Sequence, residues 1–289
     1  MTCRNMDKCQ AAAASIRAAV GSSTKQSTLT TMVMDTNSLA SVRDFSLFFR
    51  GRHDTLEMLF LNAGSVGYID KVNKKCVPTN SDGIETTFAT NFVGHHLLFR
   101  YLQPLLESSK HIGRVVSTSS MASYRSYTYL VATNRTALNG CLEPYEKNGV
   151  HFSYGQSKLA QLFWTRNVAT KILKPTSNIY VNAFHPGVVA TNIFYNAFDM
   201  VGAPKFLYSV YDWLARETFW TPMEGALTGL YLGTNTDALV KQNIRGQYYH
   251  PQSKPIYDHP YMNTTVLQEE LWNFAEELVK DFLPEKNAE

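Results

Sequence analysis

Long apolar runs, metal-type cysteine spacings and blocks of like charge are all missing from this 289-residue sequence. No stretch approaches the ~18–20 apolar residues that a bilayer-spanning helix requires. Arg4, Lys8 and Arg17 interrupt residues 1–20, where a secretory signal would keep an apolar core. A cytoplasmic chain without a transmembrane segment is expected, unless a targeting or anchor segment precedes Met1 in the gene. Cys3, Cys9, Cys76 and Cys141 show neither C-x-x-C nor Cys/His spacing, which argues against structural zinc and disulfides and for free thiols. No metal site is expected. The net charge of +3 is dispersed, so the basic footprint of a nucleic-acid binder is absent and a small-molecule partner is favoured. Asn134 and Asn263 each open an Asn-x-Ser/Thr pattern, read here as chance because no secretion signal accompanies them.

What is present suits one large α/β domain spanning residues 1–289, with 44% hydrophobic and 18% charged content to build its core and surface. Lys8–Val20 reads as a helix, Leu29–Met34 as a buried strand ending at Asp35, and a helix capped by Asn37 or Ser38 runs through Phe49. Leu56–Leu61 reads as a second strand, Asp82–Ser109 as a long helix and Gly113–Ser120 as a strand entering a loop. A polar stretch from Met121 to Val150 precedes a helix over Tyr154–Ile172 and a strand over Ile179–Phe184, broken by Pro186-Gly187. Alternation of this kind implies βαβ units and a doubly wound parallel sheet, Rossmann-like in class. Ligands of such sheets gather at the carboxyl ends of the strands, where Asp35, Asn62-Ala63-Gly64, Ser119-Ser120 and Pro186-Gly187 all fall.

Tyr154 and Lys158 stand four apart on one helical face, the only such Tyr–Lys spacing among the sixteen tyrosines. By itself this is an ordinary solvated helix face. A neighbouring ammonium would, however, lower the pKa of a phenol and let it trade a proton with a substrate oxygen. Tyr154-Gly155-Gln156-Ser157-Lys158 resembles the Tyr-x-x-x-Lys motif of the short-chain dehydrogenase/reductase family. The resemblance implies that Tyr154 is the general acid/base, that Lys158 also binds the nicotinamide ribose, and that Ser120 holds the reacting carbonyl or alcohol. It further implies that Asn91, in Thr90-Asn91-Phe92-Val93-Gly94, holds a water for proton relay. Asn62, Ala63 and Gly64 match the segment along which the adenosine half of the cofactor lies. Pro186-Gly187-Val188-Val189-Ala190-Thr191 matches the segment whose Thr binds the carboxamide, so Pro186, Gly187, Val189 and Thr191 join the cofactor set, and Asp35 would meet the adenine. The ordered matches run from about Cys3 to Tyr249, and Cys3-Arg4-Asn5 with the long span between Ser120 and Tyr154 looks most like the retinol dehydrogenase and WW-domain oxidoreductase branch. Arg4 would then favour the 2′-phosphate of NADP, with NAD as the other option.

Two features bear on substrate and completeness. The span 193–220 would form the substrate lid, and its nine aromatics, Phe194, Tyr195, Phe198, Phe206, Tyr208, Tyr211, Trp213, Phe219 and Trp220, suit a bulky apolar carbonyl or alcohol. They suit equally well packing on the core or on a second subunit of a homo-oligomer. A family member should also open with a strand, a glycine-rich turn, a helix and a second strand before Cys3-Arg4. None is found, and the expected cause is a truncated gene model or, second, a short isoform. Loss of the first βα unit and second strand is expected either to shift the Leu29–Met34 strand or to detach the first 50 residues, and in both cases to leave the chain with negligible NAD(P) binding, no dehydrogenase activity and residues 1–50 open to proteolysis. An inactive remnant kept as an interaction protein is the alternative function. A doubly wound transferase would leave Ser120, Tyr154 and Lys158 unexplained.

Overall fold

The computed structural model describes the chain apart from residues 22–27, 67–78, 126–130, 140–149, 192–194, 196–197, 199–202, 258, 261–262 and 284–289. Strand β1 (Thr2–Cys3) leads into helix α1 (Met6–Val20), whose N-terminus is capped by Asn5 accepting from the Lys8 amide at 2.9 Å. Strand β2 (Met32–Val33) pairs in parallel with β1, and α2 (Leu39–Arg50) follows behind a Ser38 cap. The strand expected over Leu29–Met34 is thus reduced to two residues, because Thr2 and Cys3 are all that its partner offers for a ladder.

After β3 (Met58–Leu61), helix α3 runs in three consecutive pieces, Thr86–Phe88, a π-helical turn Ala89–Val93, and Gly94–Glu107. The buried Glu85 carboxylate starts it by accepting from the Thr87 and Phe88 amides at 2.8 and 2.7 Å, placing an acceptor where a helix N-terminus has unpaired donors. Strand β4 (Gly113–Thr118), the short helix α4 (Arg135–Asn139) and α5 (Val150–Asn167) come next, α5 ending in a second π-helical turn over Val168–Ile172. Strand β5 (Ile179–Phe184) is buried at every position, as a strand covered on both faces must be. The chain continues through α6 (Lys205–Thr218), α7 (Pro222–Thr234), α8 (Thr236–Lys241), β6 (Tyr248–His250), β7 (Lys254–Ile256) and α9 (Thr265–Val279).

Strands β3, β4, β5 and β6 pair in parallel in that order, with β7 antiparallel at the edge. Leu97, Phe99, Leu159, Phe163 and Leu271 of α3, α5 and α9 fill the core on one face. Leu232 and Leu239 of α7 and α8 pack with Val116, Tyr180 and Phe184 on the other. The doubly wound reading therefore holds.

The start of the chain behaves differently from either expectation. The β1–β2 ladder is a separate sheet, with no ladder to the five-stranded one among the described residues, so the sheet has not closed. Neither has the unit detached, because Leu39 and Val42 of α2 are fully buried in the main core. Asp82 accepts from the Leu39 amide at 3.1 Å, and Asn80 donates to the Asn37 carbonyl at 2.7 Å. Gly94 completes the docking, since a Cβ there would lie 2.2 Å from the Thr36 carbonyl oxygen. A second correction concerns the thiols: Cys3 and Cys9 are disulfide-bonded. The end of β1 and the first turn of α1 bring their Cα atoms to 5.6 Å, a separation that spacing rules for metal sites and secreted scaffolds do not address. Cys76 and Cys141 lie outside the described residues.

Candidate active site

The carboxyl ends of β3, β4 and β5 deliver Asn62-Ala63-Gly64, Ser119-Ser120 and His185-Pro186-Gly187 to one edge of the sheet, and α5 lies beneath them. Lys158, 4% exposed, donates from Nζ to the Thr118 carbonyl at 2.8 Å, and the Ser119 hydroxyl donates to the Lys158 carbonyl at 2.8 Å. Helix α5 is therefore tied to the end of β4 at both ends of this one residue. The half-buried Tyr154 sits one turn earlier, with Lys158 Nζ 5.6 Å from its ring centroid and Ser120 hydrogen-bonded to its phenol. Ser120, Tyr154 and Lys158 are thus brought together as expected.

Their protonation differs from the expectation. Burial pushes the Tyr154 phenol above its ordinary range, and the Ser120 hydrogen bond opposes that only in part. Burial also pulls the Lys158 ammonium down to about 7, so in the free protein near neutral pH it carries about half a charge and spends a donor on Thr118. A lowered phenol was expected from a full ammonium in water. This lysine is buried, and its desolvation removes much of that charge.

Asn91 occupies the π-helical turn of α3 and is fully buried. Its side-chain amide donates to the Ser65 carbonyl and the Ser157 hydroxyl, both at 2.9 Å, and its Oδ1 accepts from the Ser65 amide at 2.8 Å. Its backbone carbonyl accepts from Gln161 Nε2 at 2.8 Å. Asn91 thus pins the Asn62–Ser65 segment, α3 and α5 together. A Cβ at Gly64 would stand 3.2 Å from Asn91 Oδ1, so a side chain there would press on the Asn91 amide by a few tenths of an ångström. Asn62, Ala63 and Gly64 are exposed, and Asn62 accepts from the Thr118 hydroxyl at 2.9 Å.

Gly187 adopts φ 84°, a left-handed conformation, and its missing side chain leaves room for Trp220, whose ring carbon would lie 2.7 Å from a Cβ. Trp220 clips the segment by donating its amide to Val188 and accepting from the Ala190 amide, at 2.9 and 3.0 Å. Pro186 and Val189 are half-buried, while Thr191 is exposed and its carbonyl accepts from the Tyr211 hydroxyl at 3.2 Å. Arg4 and Asp35 stand just past β1 and β2, with Asp35 accepting from the Asn37 amide at 2.9 Å. The lid aromatics divide: Tyr195, Phe198, Tyr208, Tyr211 and Phe219 pack on one another, whereas Phe206 and Trp213 are 64% and 66% exposed. Phe194 lies outside the described residues.

These residues fit a dinucleotide: exposed backbone at Asn62-Ala63-Gly64, the segment expected along the adenosine half, with Lys158 and the clipped loop at Gly187 where the ribose and nicotinamide end is expected. No glycine-rich turn for the pyrophosphate occurs among the described residues.

Comparison with known proteins decides the family. A family model described as short chain dehydrogenase matches residues 1–132. The chloroplastic short-chain dehydrogenase TIC 32 B of Brassica napus is 31% identical over 255 residues, covering 87% of this chain and 72% of that protein. The chain belongs to the short-chain dehydrogenase/reductase family. Retinol dehydrogenase 14 of Mus musculus is 28% identical to this dehydrogenase over 286 residues, covering 96% of the chain and 77% of that protein. An uncharacterized protein from Mycobacterium Paratuberculosis shares its fold with a TM-score of 0.65 at 23% identity, covering 98% of this chain and 84% of that one. As a family member the dehydrogenase is an oxidoreductase acting on CH–OH or C=O groups. No described helix is long and apolar enough to cross a membrane.

Sequence reasoning passed over Gln161, Ser157 and Gly94, which hold the site together without touching its open side. It also passed over His185, although that residue directly precedes Pro186-Gly187.

Proposed function

We propose that this dehydrogenase transfers a hydride between a nicotinamide dinucleotide and a bulky apolar alcohol or carbonyl. The observation that carries the reading is the meeting of Ser120, Tyr154 and Lys158 at the end of β4, beside the Gly64 cradle. Tyr154 exchanges the proton with the substrate oxygen, Ser120 orients that oxygen, Lys158 binds the ribose and sets the phenol's charge, and Asn91 fixes the Asn62–Ser65 segment. The dinucleotide, when bound, supplies or accepts the hydride. Asn62, Ala63 and Gly64 line its path, Pro186, Gly187, Val189 and Thr191 receive the carboxamide end, and Asp35 and Arg4 stand on the adenosine side. Arg4 favours NADP.

The exposed Phe206 and Trp213 and the likeness to a retinol dehydrogenase support a long apolar substrate. Burial brings the Lys158 ammonium down toward neutral pH, where it can change charge, while it keeps the Tyr154 phenol protonated, the form that can give a proton to a substrate oxygen. A second reading, a non-catalytic member that keeps the fold for protein contacts, is favoured by the separate β1–β2 sheet and the lack of a glycine-rich turn among the described residues. The deciding experiment titrates the chain with NADPH and NADH and assays reduction of bulky apolar aldehydes. Because the start of the chain stays docked on the main core through Leu39 and Val42, binding with turnover is expected here, against the expectation from the sequence; absence of both would leave the second reading.

A further inference from the structure

Parallel pairing of β5 with β6 matches Ala183 with Tyr248 and Phe184 with Tyr249, so the next residues along, His185 and His250, emerge side by side at the strand ends. The His185 amide donates to the Tyr249 carbonyl at 3.0 Å, extending the ladder to this point. His185 is 2% exposed and uses both ring nitrogens. Its Nδ1 lies 3.1 Å from the Gly187 nitrogen and must accept, because a backbone N–H can only donate. The neutral ring therefore carries its hydrogen on Nε2, which lies 2.6 Å from His250 Nδ1 and donates to it. The tautomers of both rings are thereby fixed in sequence. His250 is held in turn, since its carbonyl accepts from the Thr228 hydroxyl at 3.2 Å and that hydroxyl accepts from the Ser253 amide at 3.0 Å.

We propose that His185 is a positioning residue that sets the Pro186–Thr191 loop for the nicotinamide end of the cofactor, with His250 locking it in the accepting tautomer. This inference rests on the dinucleotide reading above. Trp220 fastens the loop at Val188 and Ala190, but neither contact fixes Gly187, whose left-handed φ would otherwise be one of several open to glycine. The His185 acceptor selects that conformation by engaging the Gly187 amide. Burial, with His250 beside it, holds His185 down at about 4, so it remains a neutral acceptor at neutral pH.

The test uses the full chain and two readouts, hydrogen exchange at the Gly187 amide and the dissociation constant for NADPH. His185→Phe should speed Gly187 exchange and weaken NADPH binding about tenfold, the effect of one lost buried hydrogen bond. His185→Asn, whose Oδ1 replaces the Nδ1 acceptor, should restore both. His250→Ala, at a half-buried position, supplies an independent arm if the Phe variant misfolds: it frees the His185 tautomer and should give intermediate exchange and affinity. Unchanged exchange in His185→Phe, or faster exchange with unchanged NADPH affinity, would overturn the proposal. Failure of the unaltered chain to bind NADPH would instead overturn the dinucleotide reading, and this inference with it, before any variant is compared.

Discussion

Lys158 Nζ donates to the carbonyl of Thr118 at 2.8 Å, so the lysine of the candidate site is tied to the end of a central strand before any ligand arrives. Its ammonium titrates at about 7 because it is buried. A bound ribose that accepts from Nζ would favour the charged form and raise that value. The charged fraction of the free protein falls as pH rises through 7, so dinucleotide affinity should be greatest below this point. It should decline above it, by at most about tenfold per pH unit, until the bound-state value is reached. Dissociation constants across this range, with proton uptake measured in buffers of different ionisation heat, provide the check. An affinity indifferent to pH would remove the ammonium from the binding role.

Deleting the Tyr154 hydroxyl and deleting the Lys158 amine should leave different signatures. Tyr154→Phe removes only the proton carrier, so turnover should fall by ~10²–10⁴ while dinucleotide affinity persists. Lys158→Ala should lower both turnover and affinity. Steady-state kinetics combined with direct binding separates the two, and equal profiles would contradict the division of labour.

The proposed preference for NADP rests on Arg4, immediately beyond β1. Wild type should prefer NADP over NAD in kcat/KM, and Arg4→Ala should narrow that preference, because a guanidinium pairs with a 2′-phosphate that NAD lacks. A preference unmoved by the substitution would place the discrimination elsewhere.

Gly94 should tolerate no side chain. A Cβ there meets the Thr36 carbonyl oxygen at 2.2 Å, and backbone cannot swing aside as a flexible side chain can. Gly94→Ala should destabilise the protein by ~1–3 kcal/mol, read as a lower urea midpoint. Displacement of the Asp35 loop should accompany it.

Acid should unfasten α9. Trp164 Nε1 donates to His96 Nδ1 at 3.1 Å, leaving Nε2 to donate to Glu276 at 2.8 Å, and Arg100 pairs with the same carboxylate. Burial pushes His96 below its ordinary value. Burial also opposes ionisation of Glu276, but His96 and Arg100 outweigh it and hold the carboxyl low. Both shifts are depressions, so their stabilising contributions are present above the unfolded values and are lost as pH falls. Stability should drop first below about 6.5 and further below about 4.3. Urea unfolding across pH is the measurement, and Glu276→Gln should flatten the lower limb.

The legible parts of this protein were those governed by local pattern. Ile179–Phe184 was read to the residue, because an apolar run bounded by turn residues leaves a strand little choice. Tyr154 and Lys158 followed from helical spacing. Asp82 was read as the start of the long helix, yet Asn80 accepts from the Asp82 and Ile84 amides and holds a turn, so the helix begins at Thr86. The π-helical turn at Asn91 reflects demands from Ser65, Ser157 and Gln161, each distant in sequence. The His185–His250 pair depends on strand register, and the half-charge on Lys158 depends on burial. None of these three is encoded in a local window.

The π-helical turn over Ala89–Val93 constrains chain length as well as composition. A residue inserted into or removed from a helix rotates everything beyond it by about 100°. Excising one residue here would return the segment to ordinary α-helix. Either Asn91 would swing away from Ser65, or Leu97, Leu98 and Leu102 would turn out of the core. The spacing between Glu85 and Gly94 is thus a gauge that keeps two faces of one helix, polar toward the site and apolar toward the core, in phase. Insertions and deletions should be far more damaging there than any single substitution except at Asn91 itself.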